Sequence, residues 1–352
     1  MFVFSFRPPH PLLLTSLACL VAAPAIAHEA WLLTPAEIEA LAAEPMPDLF
    51  TSRAMLALAA IIGSIATCIA LVIEGRLKQY EARFDARLSS MAFWVGPAGL
   101  RAGLAVMLAL AGTGGLPRHG TAPWTEPTLL VPDMELSLLA GFDWLAPMQI
   151  VLAGLLICGL FTRLLGLVII SLSCVGLALF GGDFVSYAPH FIAPGLLLVL
   201  LGGGVVSLDQ LLGLDEAWSV PENMRQVILR VAQILVGVGF VYLAVAYKLT
   251  QPTLLIAILQ HGQLPSFGLP YPVIALIMTG IEIICGTLLI VGRMIRPVSL
   301  AIIGAITFLA VTLGETPLFH ANLYATMIIF ALAGKTLASA PPRLRQFVRG
   351  MA

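Results

Sequence analysis

Glu282 stands near the middle of the apolar run "IALIMTGIEIICGTLLIV" at 274–291. An ionisable side chain at that depth in hydrocarbon costs several kcal/mol unless it finds a partner or a proton. Such a carboxyl can relay protons, hold a quinone or another small ligand, or act as a buried structural hydrogen bond. Its candidate partners are Lys248, Tyr247 and Tyr242. Lys248 closes the preceding apolar run, so it either faces Glu282 or snorkels to the membrane interface. If they meet, Glu282 would handle the proton, with Lys248 and Tyr247 beside a quinone head group.

The histidines form a second constellation. His28, His119, His190, His261 and His320 all fall in segments expected on one side of a membrane. "GGDFVSYAPH" ends in His190 and "GETPLFH" in His320, each after an acid, Asp183 or Glu315, and the two stretches are read as matching places. Imidazole beside carboxylate suits zinc or copper, and two histidines on separate helices suit axial haem ligation. His28 follows the small-x-small stretch "AIA". Cleavage there would make it the first residue, whose amine and ring can chelate copper. The plainer reading leaves these histidines as polar residues at an interface. The five cysteines, Cys19, Cys68, Cys158, Cys174 and Cys285, lie in apolar runs without a CxxC, which argues against iron–sulfur ligation or covalent haem attachment.

The elements that must position these residues belong to a membrane. Of 352 residues, 59% are hydrophobic and 11% charged, and the mean hydropathy is +0.99. Soluble domains carry roughly a quarter charged residues. A formal net charge of −1 with no basic stripe excludes nucleic acid as a partner and leaves the lipid bilayer as the main one. Residues 1–27 read as a signal peptide, with Arg7 before the apolar stretch "PLLLTSLACLVAA". An exported tail follows at 28–53, where Thr34, Pro35 and Glu37 predict a capped helix that Pro45 ends.

Nine membrane helices are expected, near 54–73, 97–113, 141–160, 163–181, 188–206, 225–247, 271–291, 295–313 and 319–337. The segment 74–96 reads as a cytoplasmic basic loop with Arg76, Lys78, Arg83 and Arg87, and 338–352 as a basic tail. Counting from an exported front end places these, with Arg163, Arg293 and Arg296, on the cytoplasmic side of a bacterial inner membrane.

The chain also repeats itself. "MQIVLAGLLICGLFTRL" at 148–164 aligns without gaps to "IEIICGTLLIVGRMIRP" at 281–297. Both contain Gly followed four residues later by Arg, which predicts a tight hairpin. Arg101 and Arg230 open the first helix of each copy. Four helices per copy preserve direction, so two parallel repeats, 97–206 and 225–337, are joined by a linker at 207–224. The expected fold is thus an all-α integral membrane protein of two parallel four-helix repeats plus one N-terminal transmembrane helix.

The second copy resembles the DoxX/DoxD family of four-helix membrane proteins. The resemblance rests on Arg230, "AYKL", Glu282 and "GTLLIVGRMIRPVSLAI". The first copy keeps "GLLICGLFTRLLGLVI" but has Gln149 at the glutamate position and His119 at the lysine position. The resemblance implies a four-helix bundle and a connection to membrane redox chemistry, since some members are linked to thiosulfate:quinone oxidoreduction. Without a redox-active cysteine pair, a quinone-linked subunit or accessory working with a periplasmic redox partner or other membrane subunits is expected. The alternatives are a non-catalytic copper- or zinc-handling or transport protein, and an assembly scaffold.

Overall fold

The computed structural model describes residues 33–116, 126–313 and 316–335. The expected signal segment and C-terminal tail, with His28, His119 and Glu315, lie outside the described residues. In hydrocarbon a backbone must satisfy its own polar groups, and the leucine- and isoleucine-rich runs do so as helices. In chain order these are α1 (Pro35–Ala42), α2 (Arg53–Trp94), α3 (Gly96–Thr113), α4 (Leu145–Cys158), α5 (Thr162–Phe180) and α6 (Ala188–Leu201). There follow α7 (Glu222–Leu243), α8 (Pro252–His261), α9 (Tyr271–Val291), α10 (Ile295–Leu313) and α11 (Ala321–Ala333). The described residues hold one isolated β-bridge, Thr128 with Glu135, and no strand. The protein is an all-α, multi-pass membrane protein.

Six helices are long and apolar enough to cross a membrane: the Arg53–Arg76 part of α2, then α3, α5, α7 with its continuation to Leu249, α9 and α10. Three of the nine expected spans appear as shorter apolar helices, α4, α6 and α11. One expectation fails outright. Residues 74–94 are not a loop but continue α2, which runs for 42 residues. At 1.5 Å per residue that is about 63 Å, roughly twice the hydrocarbon thickness. The α1 helix forms as expected: the Thr34 hydroxyl accepts from the Glu37 amide, and the Glu37 carboxylate accepts from the Thr34 amide.

The two copies pack alike. Helix α3 packs on α4 as α7 does on α9, and α5 on α6 as α10 does on α11. Across the seam, α6 packs on α7 and α11 on α3. The matched arginines hold this arrangement together. Arg101 donates to the carbonyls of Leu156 and Ile157 at 3.1 Å each, and also to that of Val206. Arg230 donates to the matching carbonyls, Leu289 at 2.8 Å and Ile290. Arg163 reaches the carbonyls of Val199 and Leu200, and Arg296 those of Ala331 and Leu332. Each guanidinium therefore donates to carbonyls in the last turn of a neighbouring helix, where intrahelical donors run out.

The hairpins depend on backbone turns of the same kind. Gly159 and Gly292 lie at φ +65° and +77°, and two residues on Phe161 and Met294 lie at +55° and +50°. Left-handed backbone is costly for a side-chain-bearing residue. In each copy a carboxylate accepts hydrogen bonds from that turn. Asp209 accepts from the amides of Phe161 at 2.6 Å and Thr162 at 2.7 Å. Glu74 accepts from the Met294 amide at 2.9 Å and from Arg293 and Lys335. Arg296 pairs in addition with Glu81 and Asp85 of α2.

Replacing Arg101 by alanine strands the carbonyls of Ile157 and Val206, while that of Leu156 keeps the Gly159 amide, and is expected to destabilise the protein by about 2 kcal/mol or more. Arg101→Lys should recover only part, lacking the planar fork. Ile65→Ala, on the exposed face of α2, should stay within about 0.5 kcal/mol. The thermal unfolding midpoint in detergent measures all three.

Candidate functional site

After Leu243, helix α7 widens into a π turn over Ala244–Leu249. A π turn takes an extra residue into the helical repeat and re-aims the side chains in it, and such turns concentrate at functional sites. Lys248 lies in this turn, and its ammonium donates to Glu282 Oε2 of α9 at 2.6 Å. The two side chains are only 21% and 14% exposed. Of the two orientations open to Lys248, the structure adopts the inward one. Tyr247 is buried and donates to the Ser186 hydroxyl at 3.4 Å, and its ring meets Tyr242 edge-on. The partner of Glu282 is therefore Lys248 and not either tyrosine.

The ion pair borders a cavity of about 230 Å³. Its walls come mainly from the second copy, with α8 supplying Leu255, Ile258 and Leu259. The first copy contributes Tyr187, His190 and Phe191 from around the start of α6. The cavity is thus composite across the seam between the copies. Most of its lining is apolar, and its polar residues are few: Lys248, Glu282, Gln251, Asn322, His190, His320 and the two tyrosines, Tyr187 and Tyr247. Gln251 Oε1 and His190 Nδ1 are buried and meet no hydrogen-bond partner among the described residues. A mostly apolar, concave site with a few convergent polar groups is the usual form of a small-molecule pocket.

Helix α8 was missed by sequence reasoning, which placed 248–270 in an outer connection. The signal was present: a proline at the first helical position and the apolar stretch "TLLIAIL". Ten residues cannot cross the bilayer, so α8 buries Leu254, Leu255, Ile256 and Leu259 against the bundle. The N-terminal segment folds over it. Leu33 and Ile38 pack with Leu254, Phe50 packs with Leu255 and Leu259, and Thr253 donates to the Leu41 carbonyl at 3.0 Å.

The first copy has no such ion pair. At the position matching Glu282, the buried Gln149 donates through Nε2 to the Thr128 carbonyl at 2.8 Å and accepts from the Leu130 amide at 2.9 Å. An amide fits this peptide edge because it offers one donor and one acceptor. The segment 128–136 is thereby drawn into the core, where Leu129, Leu130, Met134 and Leu136 are buried. In that copy, its own connecting loop is bound at the matching position.

Among the described residues, no three His, Cys, Asp or Glu side chains are placed to hold a metal. His190 and His320 line the same cavity, but they are not counterparts. Gly202 and Gly334 end α6 and α11 at matching positive φ, so the counterpart of His190 is Asn322. These two meet at the seam, the Asn322 amide donating to the His190 carbonyl at 2.9 Å. His190 also packs edge-on against Phe240. Asp183 does not line the cavity; it lies exposed on the turn after α5, where partial desolvation raises its carboxyl above the ordinary aspartate value. Cys68, Cys158, Cys174 and Cys285 are all unpaired.

Comparison with protein-family models, curated proteins and solved structures found no match for this chain. What the fold and the site define is therefore a class: a multi-pass helical membrane protein whose two similarly packed bundles share a mostly apolar, ion-paired pocket. Two outcomes test this geometry. Lys248→Met and Glu282→Gln should each lower stability. The double variant should lose less than their sum, with a coupling of about 1–3 kcal/mol in a double-mutant cycle. Gln149→Glu should destabilise by about 2 kcal/mol, since it sets an oxygen against the Thr128 carbonyl. Unfolding midpoints of the purified variants read both.

Proposed function

We propose that this protein is a DoxX/DoxD-like membrane subunit that binds a quinone in the pocket beside Lys248 and Glu282. The observation that carries the reading is the Lys248–Glu282 pair on the wall of an otherwise mostly apolar cavity. A quinone needs a dry, apolar surface for its ring and tail, a hydrogen-bond donor for a carbonyl oxygen, and a group that exchanges protons. The residues present fit those needs. Leu255, Leu259 and Leu309 supply apolar surface, Lys248 a charged donor, and Glu282 a carboxylate within reach of it. Bound quinone would supply two-electron redox chemistry. The chain's own part is to bind and orient the ring, exclude water and hold a proton at Glu282 Oε2.

Electrons would come from a partner, because the four described cysteines form no redox pair. We place the protein in a bacterial inner membrane with its N-terminal segment exported and the arginine-capped hairpins in the cytoplasm. The distribution of Arg76, Lys78, Arg83, Arg163, Arg293 and Arg296 supports that orientation. The pocket would then open toward the exported side, where a periplasmic redox partner could dock.

Solvent extraction of the protein purified in mild detergent, followed by chromatography, tests the reading. Wild type and Gln149→Leu should carry stoichiometric quinone. The Lys248→Met/Glu282→Gln double variant and the cavity-filling Ala310→Phe should carry little. Wild-type protein that neither retains quinone nor takes it up on addition would end the proposal.

A further inference from the structure

The second half of α2 separates its charges by face. Glu74, Glu81 and Asp85 are spaced seven and four residues apart, and so share one side of the helix. All three face the bundle: Glu74 meets Arg293, Met294 and Lys335, while Glu81 and Asp85 meet Arg296. They are the only acids between 72 and 94. Arg76, Arg83 and Arg87 repeat the same spacing, displaced by two residues. Two residues correspond to about 200° around an α-helix, so these arginines lie on the opposite side. They are exposed, as is Lys78, and none of the four meets a carboxylate among the described residues. Arg83 stacks instead over the Tyr80 ring, 5.5 Å from its centroid.

Placement adds a second observation. Glu74 touches the α9–α10 turn, Arg296 of α10 donates to Glu81 and Asp85 while also capping the end of α11, and Gly96 abuts Leu201 and Ile329. This half of α2 therefore lies across the end of the bundle that carries the arginine-capped hairpins. The exposed face also bears Tyr80, Phe84 and Trp94. Arginines interleaved with exposed aromatic rings on a helix at the bundle end are the composition of an interfacial helix, with rings at the acyl boundary and cations at the phosphates.

We infer that Arg76, Arg83 and Arg87 form a binding face for anionic phospholipid headgroups. The bundle neutralises the acids of α2, so the outward charge of this segment is purely cationic and complements a negative membrane surface. Full-length protein is reconstituted in nanodiscs of phosphatidylcholine with a minority of phosphatidylglycerol, and the lipids retained after detergent extraction are counted by native mass spectrometry. Wild type should retain phosphatidylglycerol over phosphatidylcholine. Each arginine changed to glutamine should lower that selectivity roughly fivefold, from about 1 kcal/mol per charge near a surface. The R76K/R83K/R87K variant should keep most of the selectivity, and Arg53→Gln at the far end of α2 should keep all of it. Should the triple glutamine variant not fold, the three single variants give the same reading. No selectivity in wild type, unchanged selectivity on removing the arginines, or an equal loss in Arg53→Gln would overturn the inference.

Discussion

The architecture depends on buried arginines that cap helix ends. A helix that stops at a hairpin leaves its last carbonyls short of donors, and packing against a neighbouring helix keeps water from replacing them. Arg101 and Arg230 satisfy those at the ends of α4 and α9, and Arg163 and Arg296 those at the ends of α6 and α11. Each contact joins helices of one copy, so every cap also fixes a packing distance. The hairpin glycines and the left-handed residues after them follow from this, since only a tight turn brings the next arginine back to the bundle end. The side-chain pair at Lys248 and Glu282 then sits in a frame that is set from one end.

Duplication gave that frame two equivalent positions, and the chain uses them differently. Gln149 binds a backbone edge, and the loop it holds closes the space around it. Glu282 binds a side chain on a π turn, and the neighbouring space stays open. One residue type separates an amide, which can both donate to and accept from a peptide edge, from a carboxylate, which can only accept. The seam between the copies then lends the open position His190, Tyr187 and Phe191, so the first copy serves the pocket as a wall.

Much of this could be read from the residues wherever the cause is local or repeated. The Thr34–Glu37 box announces α1 within four residues. The paired Gly-x-x-x-Arg hairpins expose the duplication because both copies need the same turn. Glu282 stands out because a carboxyl in that run demands a partner. What could not be read depends on a change of helical register or on distant contacts. Lys248 faces inward through a π turn, and no propensity in "AVAYKL" signals one. Residues 74–94 looked like a basic loop because Arg76, Lys78, Arg83 and Arg87 follow an apolar span. They are helical because the acids have partners more than two hundred residues away. His190 and His320 looked paired because each ends a similar stretch, and the two-residue offset shows only when the helix ends are superimposed.

The carboxylates that hold the two hairpin turns come from unlike sources. The first copy borrows Asp209 from the linker after it, and the second borrows Glu74 from the helix before both. Neither four-helix unit therefore carries everything its own geometry requires. Either unit taken alone would leave the amides of its hairpin turn without an acid to accept from them. The halves are therefore tied to the linker and to α2 by charge as well as by apolar packing.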